Sequence, residues 1–251
     1  MVLAVIPARY ASVRFPGKPL ADLAGRSVIQ RTYIQADSCA LVDRTIVATD
    51  DERIAVHVRD FGGEVMLTRS DHPSGTDRVA EVAARVPEAS IVVNVQGDEP
   101  FIAPAQIEAV IRPFAEPTIS IATLCRLITD EQALLSPNVV KVVRSNAGRA
   151  LYFSRHALPY LRDVPVGQWI NQRAHYQHLG LYAYRASILP ALTRVEEGEL
   201  EQLEKLEQLR WLAAGYAIHV GITERAGLGI DTPADLEAAR AYLMDSGRPA
   251  N

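Results

Sequence analysis

Apolar positions follow two regimes along the chain. Up to about residue 115, short continuous apolar runs at 2–8, 44–49, 64–68 and 90–95 read as buried strands. Amphipathic stretches separate them. Ser27 can cap a helix in which Val28, Ile29, Tyr33, Ile34 and Ala36 recur at helical spacing. Asp50-Asp51 opens a second helix, closed by Gly62-Gly63. The polar turn 70–78 opens a third, with Val79, Val82, Ala83 and Val86 inward, and a fourth runs from Pro104 to Phe114. Strand, loop and helix in repetition predict a parallel sheet with helices on both faces.

After about residue 117 the pattern changes. Residues 119–127, 139–144, 150–154 and 179–185 are strand-like with only short helical pieces between, which predicts later strands running antiparallel in a mixed sheet. The stretch 156–177 has little regular pattern and carries Pro159, Pro165, Gly167 and Trp169. It reads as a lid, an arm, a partner-contacting segment or a disordered loop. Residues 199–214 predict one helix with leucines at 200, 203, 206, 209 and 212, closed by Gly215 before a strand at 217–223. A last helix follows Gly229-Ile-Asp-Thr-Pro and runs to about Met244. The expectation is one α/β domain over 1–251, with a mixed, mostly parallel sheet, flanking helices and a smaller antiparallel subregion at about 117–215.

Composition narrows the function classes. With 251 residues, 48% hydrophobic and 22% charged, the chain has the make-up of a soluble globular protein. Its formal net charge of −4 disfavours nucleic acid as a partner, so any anion site must be local. Cys39 and Cys125 are two isolated thiols, which argues against a disulfide scaffold and a zinc site. The apolar start stops at Pro7, too short for a secretion signal, and no run reaches the ~20 apolar residues of a spanning helix. A cytoplasmic protein without membrane insertion is expected.

The candidate chemistry starts at residues 5–20. Arg9, Arg14 and Lys18 sit in a small-residue loop bounded by Pro16-Gly17 and Pro19, just past the first strand. Three cations and free backbone N–H groups at one sheet end suit a polyphosphate; an ordinary solvated loop is the alternative. There is no G-x-x-x-x-G-K-[ST] and no G-x-G-x-x-G, so neither a Walker loop nor a Rossmann fingerprint is present. Ligands of open α/β sheets gather outside the carboxyl ends of the strands, where the 70–78 turn and Gln96-Gly97-Asp98-Glu99 also fall. Cations meeting a carboxylate there point to a phosphate bridged to Asp98 by Mg²⁺. A helix cap before Pro100 is the alternative for Asp98, while Asp231 before the last helix, taken alone, is more often just a cap.

Seven motifs then occur in order: I-P-A-R-Y-A-S-V-R-F-P-G-K-P-L, S-G-T-D-R, N-V-Q-G-D-E-P, A-L-Y-F-S-R, H-L-G-L-Y-A-Y, L-E-K-L-E-Q-L-R and G-I-D-T-P-A-D-L. Together they resemble the 3-deoxy-manno-octulosonate (Kdo) cytidylyltransferase family, the CMP-Kdo synthetases of lipopolysaccharide synthesis, over residues 5 to about 238. The related sialate synthetases usually carry a loop like A-R-G-G-S-K-G-I-P-x-K-N, which is not matched. The resemblance implies a nucleotide-diphosphosugar transferase (Rossmann-like) fold, a homodimer, Mg²⁺, and CMP transfer from CTP to Kdo with release of pyrophosphate. A close sugar acid such as 8-amino-Kdo is the alternative substrate. It implies that Arg9 and Lys18 hold the triphosphate with Ser12 nearby, and that Ala8 and Ser74-Gly75 contact cytidine. It further implies Arg78 between the substrates, Asp98 and Asp231 as metal ligands, and Gln96, Arg155, His178, Tyr182, Glu207 and Gln208 around the sugar acid. The subregion 117–215 would serve sugar binding and dimerisation. Read without the resemblance, His178 is a half-buried strand residue and Glu207-Gln208 a solvated surface.

Overall fold

The first apolar run forms strand β1 (Val2–Ala8) in the computed structural model, which describes residues 1–11, 14–225, 227 and 229–245. The elements that follow are a small antiparallel pair β2 (Asp22–Leu23) and β3 (Arg26–Ser27), then α1 (Val28–Asp37), β4 (Arg44–Thr49), α2 (Glu52–Asp60), β5 (Val65–Leu67), α3 (Gly75–Ala84), β6 (Ile91–Asn94) and α4 (Pro104–Ile111). Next come β7 (Ile121–Leu127), α5 (Glu131–Leu135), β8 (Lys141–Arg144), β9 (Ala150–Ser154), β10 (Tyr176–Arg185), α6 (Leu189–Leu192), α7 (Glu199–Glu204), α8 (Gln208–Ala213), β11 (Ile218–Ile222) and α9 (Pro233–Asp245). The chain divides into two compact units, one of residues 1–108 with the segment from 227 onward, the other of residues 109–226. The second contains the whole 117–215 span. The architecture is α/β: a mixed, mostly parallel sheet with flanking helices and a smaller antiparallel part.

In the first unit, β1 pairs in parallel with β4 on one side and β6 on the other, and β5 extends β4. Leu3 through Ile6 are wholly buried, which explains why this strand reads as unbroken apolar sequence rather than alternating. Local chemistry starts the helices where the sequence predicts. The Ser27 hydroxyl accepts from Gln30 N, Asp51 from Arg53 N, and Ser74 from Asp77 N. Gly62 takes φ +82° directly after α2, the left-handed position that ends a helix. Ile34 differs from expectation, lying on the outer face of α1.

In the second unit β7 is central, antiparallel to β10 and parallel to β11, with the antiparallel pair β8–β9 joined to β10 at Gln177↔Lys141. The patternless stretch 156–177 is a packed element. Trp169 sits in a buried cluster with Ile128, Leu134 and Ala157, and its indole N–H donates to Val164 O at 2.8 Å. The leucine helix is corrected: it is two helices, broken at Lys205, which takes φ +52°. Leucines every third residue drift about 60° per step around a helix of 3.6 residues per turn, so no single face can bury all five. Leu203 is left exposed, while Leu206 and Leu209 turn inward beyond the break.

Candidate functional site

The first unit carries an open cleft of about 300 Å³ at the carboxyl ends of β1 and β6, lined by Pro7, Ala8, Arg9, Ala11, Lys18, Pro19, Gly75, Gln96, Gly97 and Asp98. The basic loop rims it. Gly17, at φ +74°, donates its N–H to Tyr10 O at 2.9 Å and closes the loop into a hoop. Arg53 stacks on the Tyr10 ring at 3.3 Å from its centroid. Past the hoop, Lys18 starts a short 3-10 turn (Lys18–Leu20) and points at the turn following β6. That turn lies against β1: a Cβ on Gly97 would sit 2.7 Å from Pro7 O, so only glycine fits there.

Lys18 Nζ lies 2.6 Å from Asp98 Oδ2 and 3.2 Å from Asp231 Oδ1, and Arg14 reaches Asp231 Oδ1 at 3.1 Å. A backbone bond from Ile230 N to Asp98 O, 2.9 Å, brings the two carboxylate-bearing segments together. Neither carboxylate is a helix cap. No helix starts until Pro104 on the Asp98 side. Before α9 the cap is Thr232, whose hydroxyl accepts from Asp235 N while Asp235 takes the N–H groups of Asp231 and Thr232. Neither Asp98 nor Asp231 is spent on a helix, and both carboxylates face Lys18. Beside them, burial and then the Asp98 charge push the Glu99 carboxyl up to about 7.

The residues expected to contact cytidine fall at the same cleft. Ser74 spends its hydroxyl on the α3 cap, donating to Asp77 Oδ2 and accepting from Asp77 N, so it offers a ligand its backbone. Gly75 packs on Pro7, a Cβ there standing 3.7 Å from the proline ring. Arg9 donates to His72 O at 2.6 Å, which ties the loop to the 70–78 turn. Gln96 lines the cleft beside Gly97. Arg78 does not line it. The guanidinium is wholly buried, with Nη1 bonded to Thr68 Oγ1 at 2.6 Å and Asp50 Oδ1 at 3.0 Å. Among the described residues its Nε and Nη2 have no hydrogen-bond partner, and burial lowers its pKa against the pull of Asp50. Ser12 lies outside the described residues.

The second unit gathers His178, Tyr182 and Glu207. The rings of His178 and Tyr182 are 5.4 Å apart, and Trp211 of α8 meets Tyr182 edge-on at 5.6 Å. Burial pushes His178 down to about 3, so the ring is neutral. Thr123 Oγ1 lies 3.0 Å from His178 Nε2 and within 3.0 Å of the Leu179 and Leu181 carbonyls. With the hydroxyl proton given to either carbonyl, the tautomer that fits is the one with the imidazole proton on Nε2, which keeps a lone pair on Nδ1. Burial first, then the charges of Tyr184 and Glu207, raise the Tyr182 phenol well above its usual range. Gln208, expected on a solvated surface without the resemblance, is buried as the first residue of α8. Arg155 donates from Nε to Glu204 O at 2.6 Å, from Nη1 to Pro137 O at 3.0 Å and from Nη2 to Lys205 O at 3.4 Å. These use three of its five N–H groups and leave one on each terminal nitrogen.

Sequence reading missed the residues that hold these groups: Thr123, Glu204 and Lys141. Lys141 had a signal, since it interrupts the apolar run Val139-Val140-Lys141-Val142-Val143. Thr123 and Glu204 had none, because their partners are 55 and 49 residues away.

Comparison with known proteins follows this geometry. A family model described as cytidylyltransferase matches residues 3–219. A 3-deoxy-manno-octulosonate cytidylyltransferase of Syntrophotalea carbinolica is 51% identical, over 96% of this chain and 98% of its own. A solved CMP:2-keto-3-deoxy-manno-octonic acid synthetase complexed with CTP superposes with a TM-score of 0.90 at 43% identity, covering 98% of this chain and 99% of that one. A 4-diphosphocytidyl-2C-methyl-D-erythritol synthase from Anaerococcus prevotii shares the fold at 15% identity, with a TM-score of 0.65 and 97% and 98% coverage.

Proposed function

The chain belongs to the 3-deoxy-manno-octulosonate cytidylyltransferase family, and on that premise we propose that it transfers CMP from CTP to the anomeric hydroxyl of Kdo, releasing pyrophosphate. The observation that carries the site assignment is the convergence of Asp98 and Asp231 on Lys18 at the rim of the cleft. Two hard oxygen donors brought to one cationic point fit Mg²⁺, which takes one or two carboxylates and completes its shell with phosphate oxygens and water. Asp98 and Asp231 would hold it, and when bound it would neutralise charge on the phosphoryl oxygens and the leaving pyrophosphate.

The chain's own groups do the rest. Lys18 and Arg9 bind the triphosphate and offset charge that grows on the leaving group. Lys18 turns from the two carboxylates to the phosphates as the nucleotide arrives. Ala8 and the backbone of Ser74-Gly75 contact the cytidine. The two N–H groups left on Arg155 form a fork for the sugar acid's carboxylate. Gln96, Tyr182, Glu207 and Gln208 bond its hydroxyls, and neutral His178 contributes an acceptor at Nδ1. Groups that must be paired reject analogues lacking the matching hydroxyl. Family likeness further supports a homodimer, which light scattering coupled to gel filtration would report. Among the described residues no helix is long and apolar enough to cross a membrane.

Pyrophosphate release from CTP and Mg²⁺ with a panel of sugar acids tests the reading. Kdo should give the highest kcat/KM, and 8-amino-Kdo is the informative competitor. Silence with every acid would sink it.

A further inference from the structure

A lysine at the buried start of a strand has a large desolvation cost unless its ammonium is fully satisfied. Lys141 on β8 is wholly buried, and its three N–H groups go to three carbonyls: Ser136 O and Val139 O at 2.7 Å and Arg155 O at 2.8 Å. Burial pulls its pKa down and the nearby Glu204 carboxylate pulls it back up. The established reaction gives this cation no task, since no proton of it is free to meet a substrate.

Its surroundings give it one. Arg155 is fastened at both backbone ends, its carbonyl by Lys141 and its N–H by the Glu204 carboxylate at 2.8 Å. The same carboxylate accepts from Ser154 Oγ at 2.6 Å, and the Glu204 carbonyl receives Arg155 Nε. Glu204 is the last residue of α7, directly before the break that sets Glu207 and Gln208 at the start of α8. On the other flank of β8, His178 N donates to Val140 O at 2.8 Å. Three segments carrying sugar-acid residues, at Arg155, His178 and Glu207-Gln208, are thus tied to the strand on which Lys141 sits.

We propose that Lys141 is a positioning residue for the sugar acid: its buried ammonium gathers the Ser136, Val139 and Arg155 carbonyls and so aims the Arg155 guanidinium at the substrate carboxylate. The proposal rests on the reading of Arg155 given above. Removing the ammonium takes a donor from each of the three carbonyls, Ser136 O keeping only the Val139 N–H at 3.3 Å, and the strand end that carries Arg155 relaxes away from β8. The nucleotide residues belong to the other compact unit, so CTP binding is untouched.

The test compares Lys141→Met, Glu204→Gln and Arg155→Ala, measuring the KM for Kdo, kcat, and the Kd for CTP by calorimetry without Kdo. Lys141→Met is expected to raise the KM for Kdo at least tenfold with the CTP Kd within twofold of the parent. Glu204→Gln keeps its volume and one acceptor, and should show the same split at several-fold. It decides the matter if Lys141→Met does not fold. A purely structural role predicts a lower melting temperature with the KM for Kdo unchanged, and that result overturns the proposal. A raised KM in Arg155→Ala beside a normal one in Lys141→Met refutes the role of Lys141 alone. A normal KM in Arg155→Ala refutes the reading of Arg155 and the proposal with it.

Discussion

Lys18 Nζ lies 2.6 Å from Asp98 Oδ2, and its side chain is only 11% exposed. The ammonium stands between Asp98 and Asp231, the place proposed above for a divalent cation. Lys18→Met should therefore raise the KM for CTP at least tenfold and, at the same time, tighten Mn²⁺ binding to the nucleotide-free protein. Calorimetry reads the second effect directly. Unchanged CTP kinetics would remove Lys18 from the triphosphate site, and unchanged Mn²⁺ affinity would show that it does not compete with metal.

Asp98→Asn removes one of the two carboxylates proposed to hold Mg²⁺ while preserving size. Turnover should fall by about 10²–10³, equivalent to ~2.7–4 kcal/mol of lost transition-state electrostatics. Melting temperature should fall only modestly, because Asp98 caps no helix and Lys18 keeps Asp231 at 3.2 Å. Single-turnover pyrophosphate release checks this, and turnover within threefold of the parent would exclude Asp98 from the chemistry.

His178 predicts a pH dependence. Its folded pKa of about 3 lies below the ordinary 6.5, so between those values the unfolded chain binds a proton that the folded chain refuses. Stability is full above about pH 6.5 and is lost as pH falls toward 3. The slope is at most about 1.4 kcal/mol per pH unit for this one group. Urea unfolding at pH 7 and pH 5 should show a smaller loss in His178→Gln than in the parent. Equal losses would mean that the ring is already protonated, or solvated, when folded.

Gly97→Ala would place a methyl group 2.7 Å from Pro7 O, a backbone atom with little room to yield. The turn must move off β1, at a cost of about 1–3 kcal/mol by analogy with overpacked cores, and Asp98 moves with it. Melting temperature and kcat should fall together. A variant with parental values of both would show the contact to be soft.

The half of the molecule built from short-range signals was legible from sequence. Ser27, Asp51 and Ser74 cap helices through partners two or three residues away, and the buried strands of the first unit announce themselves by unbroken apolar runs. What escaped was decided at long range. Asp231, taken alone, looks like a cap because a carboxylate before a helix usually is one; Thr232 takes that role, and only the folded chain shows it. The leucine repeat suggested one helix, yet the carbonyl that ends α7 is claimed by Arg155, 49 residues earlier. Lys141 stood out in its apolar run, but its three acceptors come from two separate segments.

The bond from Ile230 N to Asp98 O also imposes an order of assembly. Asp98 is made before the second unit is begun and Asp231 only after that unit has been completed. A ribosome delivers the nucleotide cleft early and its second carboxylate late. A chain cut short in the second unit therefore carries Asp98 without Asp231 and can never close the pair.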